Sequence, residues 1–206
     1  MSQEESLVYL IRHGATAANE DGRLQGRGIN LPLSKTGRTQ AETAARALGA
    51  VELAAVYATP LVRARETAAI VAAPHGLPVE IVDELVEVDV GRWEGLYWEQ
   101  IRERDAAAYE RFMQAEGRCG YPDGESYGDV YLRVQPVLDE LAARHGGEKI
   151  AVVAHSVVNR VYLAGLLGMS PAAGRELSQA NGAINVIRRR RGKLRVVTMN
   201  AERPPV

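Results

Sequence analysis

Short apolar runs alternate along this chain with longer stretches of helical period. Leu7-Val8-Tyr9-Leu10-Ile11 is unbroken apolar sequence, closed by a charged residue and soon after by a glycine, which predicts a buried strand running into a loop. Residues 53–58 and 149–154 repeat that pattern, and residues 79–82 give a shorter version. A helix is predicted over residues 35–48, with Ser34 placed to cap it and Gly49 just past its end. A second starts at Thr59-Pro60, with Thr59 as N-cap and Pro60 at the first helical position, and stops before Pro74. Further helices are expected over residues 98–116, 126–144 and 157–167. In the second of these Val130, Val134, Val137, Leu138 and Leu141 share one face, and Pro136 should kink it or mark a boundary. Residues 183–187 and 194–198 form a closing pair joined by a turn at 188–193. Residues 15–34 have no period, and a loop of that length in a compact domain is usually functional. Residues 84–97 are a second irregular stretch, and residues 117–124 a turn-rich break.

Strands alternating with helices predict one α/β domain over residues 1–206, a three-layer α/β/α sandwich with a mostly parallel central sheet. The composition, 46% hydrophobic and 25% charged, is that of an ordinary globular protein. A formal charge of -1 argues against nucleic-acid binding by bulk electrostatics. Arg188-Arg189-Arg190-Arg191 then reads as a solvated hairpin tip rather than a nucleic-acid or membrane contact. Cys119 is the single cysteine, so no internal disulfide can form and a reducing compartment fits. The longest apolar stretches, residues 150–158 and 161–167, are too short to span a bilayer. The acidic start Met1-Ser2-Gln3-Glu4-Glu5 lacks the basic residues of a secretory signal, so a cytoplasmic location is expected. His75 and His145 have no spaced cysteine or carboxylate partners, and no metal site is expected. Ser34-Lys35-Thr36 lacks the glycine that a nucleotide-binding P-loop places before its lysine.

The candidate chemistry lies where strands should end. His13 follows the first strand and His155 follows the strand over 149–154, and ligands of open α/β sheets bind at those ends. Arg12 adjoins the first histidine, and Arg63 lies one turn into a helix whose N-terminal amides can also face an anion. Arginine presents a planar fork to two oxygens, while a neutral imidazole offers a lone pair able to attack phosphorus.

These residues resemble, in order, the motifs of the histidine phosphatase superfamily, also called phosphoglycerate mutase-like, over nearly all of the chain. The first is Leu10-Ile11-Arg12-His13-Gly14-Ala15-Thr16 followed by Asn19, with Gln25-Gly26 and Pro32-Leu33-Ser34 in the loop beyond. Thr59-Pro60-Leu61-Val62-Arg63-Ala64-Arg65-Glu66-Thr67 resembles the second arginine motif, and Glu87-Val88-Asp89-Val90-Gly91-Arg92-Trp93-Glu94-Gly95 the proton-donor segment. Tyr121-Pro122-Asp123-Gly124-Glu125-Ser126-Tyr127 is similar to a helix start in several phosphatase branches, and Val153-Ala154-His155 to the second-histidine motif. The broad-specificity and α-ribazole-phosphate phosphatases are the branch most resembled.

The resemblance implies His13 as nucleophile, Arg12, Arg63 and His155 as the oxyanion cradle, and Glu87 as the acid that protonates the leaving alkoxide. Glu84 and Asp89 are rivals of Glu87 on spacing alone. It implies substrate contacts from Thr16, Asn19, Gln25, Gly26 and Ser156, the last standing where many members have glycine. The implied reaction is hydrolysis of small phosphomonoesters with no metal or cofactor, and with a bell-shaped dependence of rate on pH. A cofactor-dependent phosphoglycerate mutase is the alternative; Val90, where mutases usually place tyrosine, favours hydrolysis. A phospholigand-binding protein with little catalysis is a further alternative, against which the complete residue set argues. A homodimer is compatible with the sequence.

Overall fold

The computed structural model describes residues 5–114 and 120–202. Six strands build one sheet: β1 Glu5–Arg12, β2 Leu53–Ala58, β3 Val79–Ile81, β4 Lys149–Ala154, β5 Ile184–Arg190 and β6 Lys193–Ala201. Their order is β3-β2-β4-β1-β5-β6. The first four are mutually parallel, while β5 runs antiparallel to β1, and β6 to β5. This is the mixed α/β sandwich with a mostly parallel sheet that the alternating pattern predicts.

The uninterrupted apolar runs follow from burial on both faces. Val8 and Leu10 of β1 point into one core, with Val130, Val134 and Leu138 of the helix Tyr127–Arg144 and Val158 and Val161 of the helix Ser156–Leu166. Tyr9 and Ile11 point into the other, with Ala44 and Leu48 of the helix Lys35–Leu48 and Ala64, Ala68 and Val71 of the helix Val62–Ala72. The helices span α2 Lys35–Leu48, α3 Val62–Ala72, α6 Tyr127–Arg144 and α7 Ser156–Leu166; a short α1 covers Ala17–Glu20. Ser34 caps α2 through the Gly37 amide, as expected. Among the described residues no helix is long and apolar enough to cross a membrane.

Three expectations need correction. The helix after β2 starts at Val62, with Leu61 in the cap position and no side-chain cap. Thr59 instead hands its hydroxyl to His155, at 2.8 Å from Nε2. The single helix expected over 98–116 is two, α4 Trp98–Arg104 and α5 Ala106–Gln114. They are split at Asp105 (φ -138, ψ 45), whose carboxylate accepts from the Trp93 indole at 2.8 Å and from Arg92. Positions 115–116 of that prediction, the first part of the 117–124 break and Cys119 lie outside the described residues. Pro136 lies inside α6 and does not mark its boundary. The carbonyl it deprives of a partner is that of Leu132, a residue 73% exposed, where water can take the donor's place. The expected turn at 188–193 is only Arg191-Gly192, both at positive φ, because Arg188 pairs with Arg195 and Arg190 with Lys193 as strand residues.

Candidate active site

The β1–β4 register sets Arg12 beside Ala154, so the residue after each, His13 and His155, leaves the sheet at adjacent points. The His13 amide continues the ladder to the Ala154 carbonyl at 3.1 Å, and the two imidazoles meet edge to face with centroids 5.1 Å apart. Beyond His13 the chain crosses the first turn of α2 so closely that a Cβ on Gly37 would lie 1.9 Å from the Ala15 carbonyl oxygen.

The partners of His13 define its tautomer. Nδ1 lies 2.7 Å from the Gly14 carbonyl, which can only accept, so Nδ1 carries the proton. Nε2 faces Nε of Arg63 at 3.2 Å, which can only donate, so Nε2 holds the lone pair. Burial, then the charges of Arg63 and Arg12, hold the His13 pKa well below its ordinary value, against the Gly14 hydrogen bond. His155 is lowered likewise, by burial first and then by Arg63, His13 and Arg12. Both rings are therefore neutral at neutral pH.

Arg63 is buried, and its other donors go to the Ile29 carbonyl (3.0 Å) and the Gly26 carbonyl (2.8 Å). Of the amides at the start of α3, that of Val62 does not face an anion: its N–H is taken by Asn30 Oδ1. Arg12 donates from Nη1 to the Gln179 carbonyl. Burial lowers its pKa to about 10, with Glu87 opposing and Arg160 and Arg63 adding, which leaves it charged near neutrality. Arg12 Nε and His155 Nδ1 are buried without a hydrogen-bond partner among the described residues. Leaving such a group unpaired costs ~1–3 kcal/mol, and a bound anion would relieve the arginine.

Glu87 is the carboxylate that reaches this site. It is 4% exposed and accepts from its neighbour's amide, Val88 N–H, at 2.9 Å, and from Val157 N–H at 3.4 Å. Of its rivals, Glu84 is exposed, and Asp89 is spent on Arg27 (2.8 Å) and the Gly91 amide. The backbone around Glu87 is gripped by Arg133 of α6, which donates to the carbonyls of Glu84, Val86 and Glu87. Arg133 is in turn held by both oxygens of Glu125.

A model of the histidine phosphatase superfamily (branch 1) matches residues 8–202. The chain belongs to that family. It is a phosphoric monoester hydrolase, as its relatives' names agree. The metal-independent phosphoserine phosphatase of Arabidopsis thaliana is 35% identical over 191 residues, 91% of this chain and 78% of the relative. Phosphoserine phosphatase 1 of Hydrogenobacter thermophilus is 33% identical over 162 residues, 79% of this chain and 76% of the relative. The α-ribazole phosphatase of Shigella flexneri superposes with a TM-score of 0.86 at 28% identity, over 97% of this chain and 98% of that one.

In this histidine phosphatase a cavity of about 360 Å³ opens over Arg12, His13 and Glu87. Asn19, Gln25 and Ser156 line it too. Thr16 and Gly26 brace the loop behind it. Thr16 caps α1 and bonds Gln25 Oε1 at 2.7 Å, while Gly26 gives its amide to Glu94 and its carbonyl to Arg63. Glu94 also receives the amides of Gly28 and Ile29, at 2.9 Å each, and so pins the turn whose carbonyls hold Arg63. Three lining arginines, Arg23, Arg160 and Arg175, escaped the sequence reading. Arg160 lies four residues after Ser156 on α7, one turn along the same face, and that period could have revealed it. Arg175 sits in a 3₁₀ turn, Pro171–Glu176, where no period exists to read. Among the described residues no cluster of three or more His, Cys, Asp or Glu is placed to hold a metal ion.

Proposed function

We propose that this histidine phosphatase hydrolyses small phosphomonoesters without a metal, by way of a phosphohistidine at Nε2 of His13. The His13 tautomer carries this reading: its proton is tied to the Gly14 carbonyl, and the lone pair on Nε2 faces a guanidinium that can turn to a phosphoryl oxygen. The Nε2–P bond forms as the P–O bond to the alcohol breaks, and protonated Glu87 gives its proton to the departing oxygen. The carboxylate of Glu87 then takes a proton from the water that attacks phosphorus, breaking the P–N bond and restoring both residues. Arg12, Arg63 and His155 hold the equatorial oxygens, where the fixed charge of the two arginines stabilises the transition state most. Ser156, at the first position of α7, lines the cavity and adds a hydroxyl where a glycine would leave space. The names of the relatives put phosphoserine on the list of substrates to try.

Phosphate release from a panel of phosphomonoesters in the presence of a chelator tests the scheme. We expect release to continue with chelator and to fall by at least about 10³-fold in His13→Ala, since the covalent route is lost with its nucleophile. Dependence on a divalent ion, or survival of activity in His13→Ala, overturns it. Isomerisation of phosphoglycerates faster than phosphate release would reassign the enzyme as a mutase.

A further inference from the structure

The irregular segment before β5 closes around the end of β1. Arg12 gives its amide to the Ala183 carbonyl and receives the Gly182 amide on its own carbonyl, at 3.0 Å each. Its guanidinium turns to the same segment and donates from Nη1 to the Gln179 carbonyl. A carbonyl outside helix and strand holds a guanidinium only as firmly as its own segment is held. Whatever fixes Gln179 therefore bears on where Arg12 points.

Gln179 is fixed by a knot of side-chain amides sealed inside the protein. Asn159 of α7, Gln179 and Asn185 of β5 are all buried. Gln179 Oε1 accepts from Asn185 Nδ2 at 2.9 Å and from Asn159 Nδ2 at 3.2 Å. Gln179 Nε2 donates to Asn185 Oδ1 and to the Ser178 carbonyl, both at 2.9 Å. Backbone groups decide which way the Asn185 amide faces. The Leu10 carbonyl can only accept, so it takes Nδ2; the Asn200 amide can only donate, so it meets Oδ1, each at 2.9 Å. Asn200 itself stands at positive φ, where the β5–β6 register shifts, and its Oδ1 receives the amide of Ala180, the residue after Gln179, at 2.6 Å. Such shifts re-aim backbone and side chains locally.

The fold alone does not call for these amides. Ile184, Val186 and Ile187 show that apolar side chains fill the neighbouring positions of β5. A buried polar network adds to stability only when every member is bonded, and Asn159 Oδ1 has no partner among the described residues. We infer that Asn185 and Gln179 are positioning residues for Arg12. The knot fixes the Gln179 carbonyl, the carbonyl fixes the plane of the guanidinium, and that plane aims the unpaired Nε–H at the phosphoryl group. This rests on the reading above, in which Arg12 holds a phosphoryl oxygen. For Arg63 the anchors are the Gly26 and Ile29 carbonyls, on a turn pinned by the carboxylate of Glu94. For Arg12 the pin is made of neutral amides, which set direction without cancelling charge.

A double-mutant cycle on kcat/KM for p-nitrophenyl phosphate, Asn185→Leu against Arg12→Lys, tests this, with rates taken per folded molecule. A lysine ammonium is a point charge with rotatable donors, so it gains nothing from a fixed plane. We expect Asn185→Leu to lower kcat/KM about ten- to a hundredfold when Arg12 is present, the scale of one misaligned charged hydrogen bond. Beside Arg12→Lys the loss should be less than about threefold. Gln179→Met leaves the Asn185 bonds to Leu10 and Asn200 in place; it should behave alike, and it replaces Asn185→Leu in the cycle if that variant does not fold. Equal losses in both backgrounds, or no loss in either, overturn the proposal, because the knot then serves the fold alone. If the native protein does not hydrolyse p-nitrophenyl phosphate, it is the hydrolytic reading that fails. The nitrogen–proton correlation signal of Arg12 Nε–H, identified by its absence from Arg12→Lys, then decides the positioning by itself. Displacement of that signal in Gln179→Met supports the proposal, and an unmoved signal overturns it.

Discussion

Replacing Arg133 by methionine should damage catalysis through Glu87 without touching any substrate. Arg133 gives 2.7 Å hydrogen bonds to the carbonyls of Glu84 and Val86 and a 3.2 Å bond to that of Glu87 itself. Its own orientation comes from Glu125, at 2.9 and 3.0 Å. Methionine keeps much of the stem's packing and removes every one of these bonds. The carbonyl of exposed Glu84 can turn to water, and Glu125 keeps the Asp89 amide, so the loss is well below the sum of the parts. A cost of about 2 kcal/mol is reasonable for one buried charged hydrogen-bonding group, or about 4–8 °C in Tm for a chain of this length. The kinetic effect is separable from that loss. A general acid contributes ~10²–10⁴-fold, and displacing its loop by a fraction of an ångström forfeits much of it. An alkyl phosphate, whose alkoxide must be protonated as it leaves, should lose about 10²-fold in kcat. p-Nitrophenyl phosphate, whose phenolate leaves unaided, should lose less than about threefold. Steady-state kinetics on the two substrates, at a temperature where the variant is fully folded, makes the comparison. Equal losses on both would show that Arg133 acts through the fold alone; no loss on either would show that Glu87 holds its place without it.

Stability should also fall on mild acidification. His13 and His155 have folded-state pKa values pushed well below 6.5, so between that value and the folded one the unfolded chain binds protons that the native state refuses. Stability is then full above about pH 6.5 and declines as pH falls, by up to about 1.4 kcal/mol per pH unit for each histidine. Urea titrations at pH 7.5 and 5.5 should show the decline and its partial loss in His155→Asn; a pH-independent native protein would refute it. Gly37→Ala should destabilise by about 1–3 kcal/mol and depress kcat, because its Cβ would sit 1.9 Å from the Ala15 carbonyl and push the loop after His13. Thermal melts and kinetics at one temperature would test this, and a silent Gly37→Ala would contradict the close backbone crossing.

What the sequence disclosed was whatever depends on nearest neighbours. Residues 53–58 and 149–154 are strands because they are apolar on both faces, and Ser34 starts α2 because its hydroxyl reaches the Gly37 amide. Thr59-Pro60 obeyed the same local rule and misled, since the Thr59 hydroxyl had a better partner 96 positions away in His155. The break at Asp105 was equally hidden, because the acceptor it supplies serves the Trp93 indole across the helix pair. At the site, His13 and His155 could be named from strand ends, but their adjacency needs the Arg12–Ala154 register. Arg133 carries no sequence signal beyond a charge within a helix; its role exists only once residues 84–87 lie against α6.

Two neutral imidazoles with centroids 5.1 Å apart offer nitrogen lone pairs of the kind that zinc and copper accept. Here the lone pair that would bind such an ion is covered by the guanidinium of Arg63, and Arg12 sets a second positive charge close by. An arriving divalent ion meets fixed charges of its own sign, while an arriving oxyanion meets only attraction. The guanidinium that lies over Nε2 therefore favours an oxyanion and opposes a divalent cation at one and the same spot.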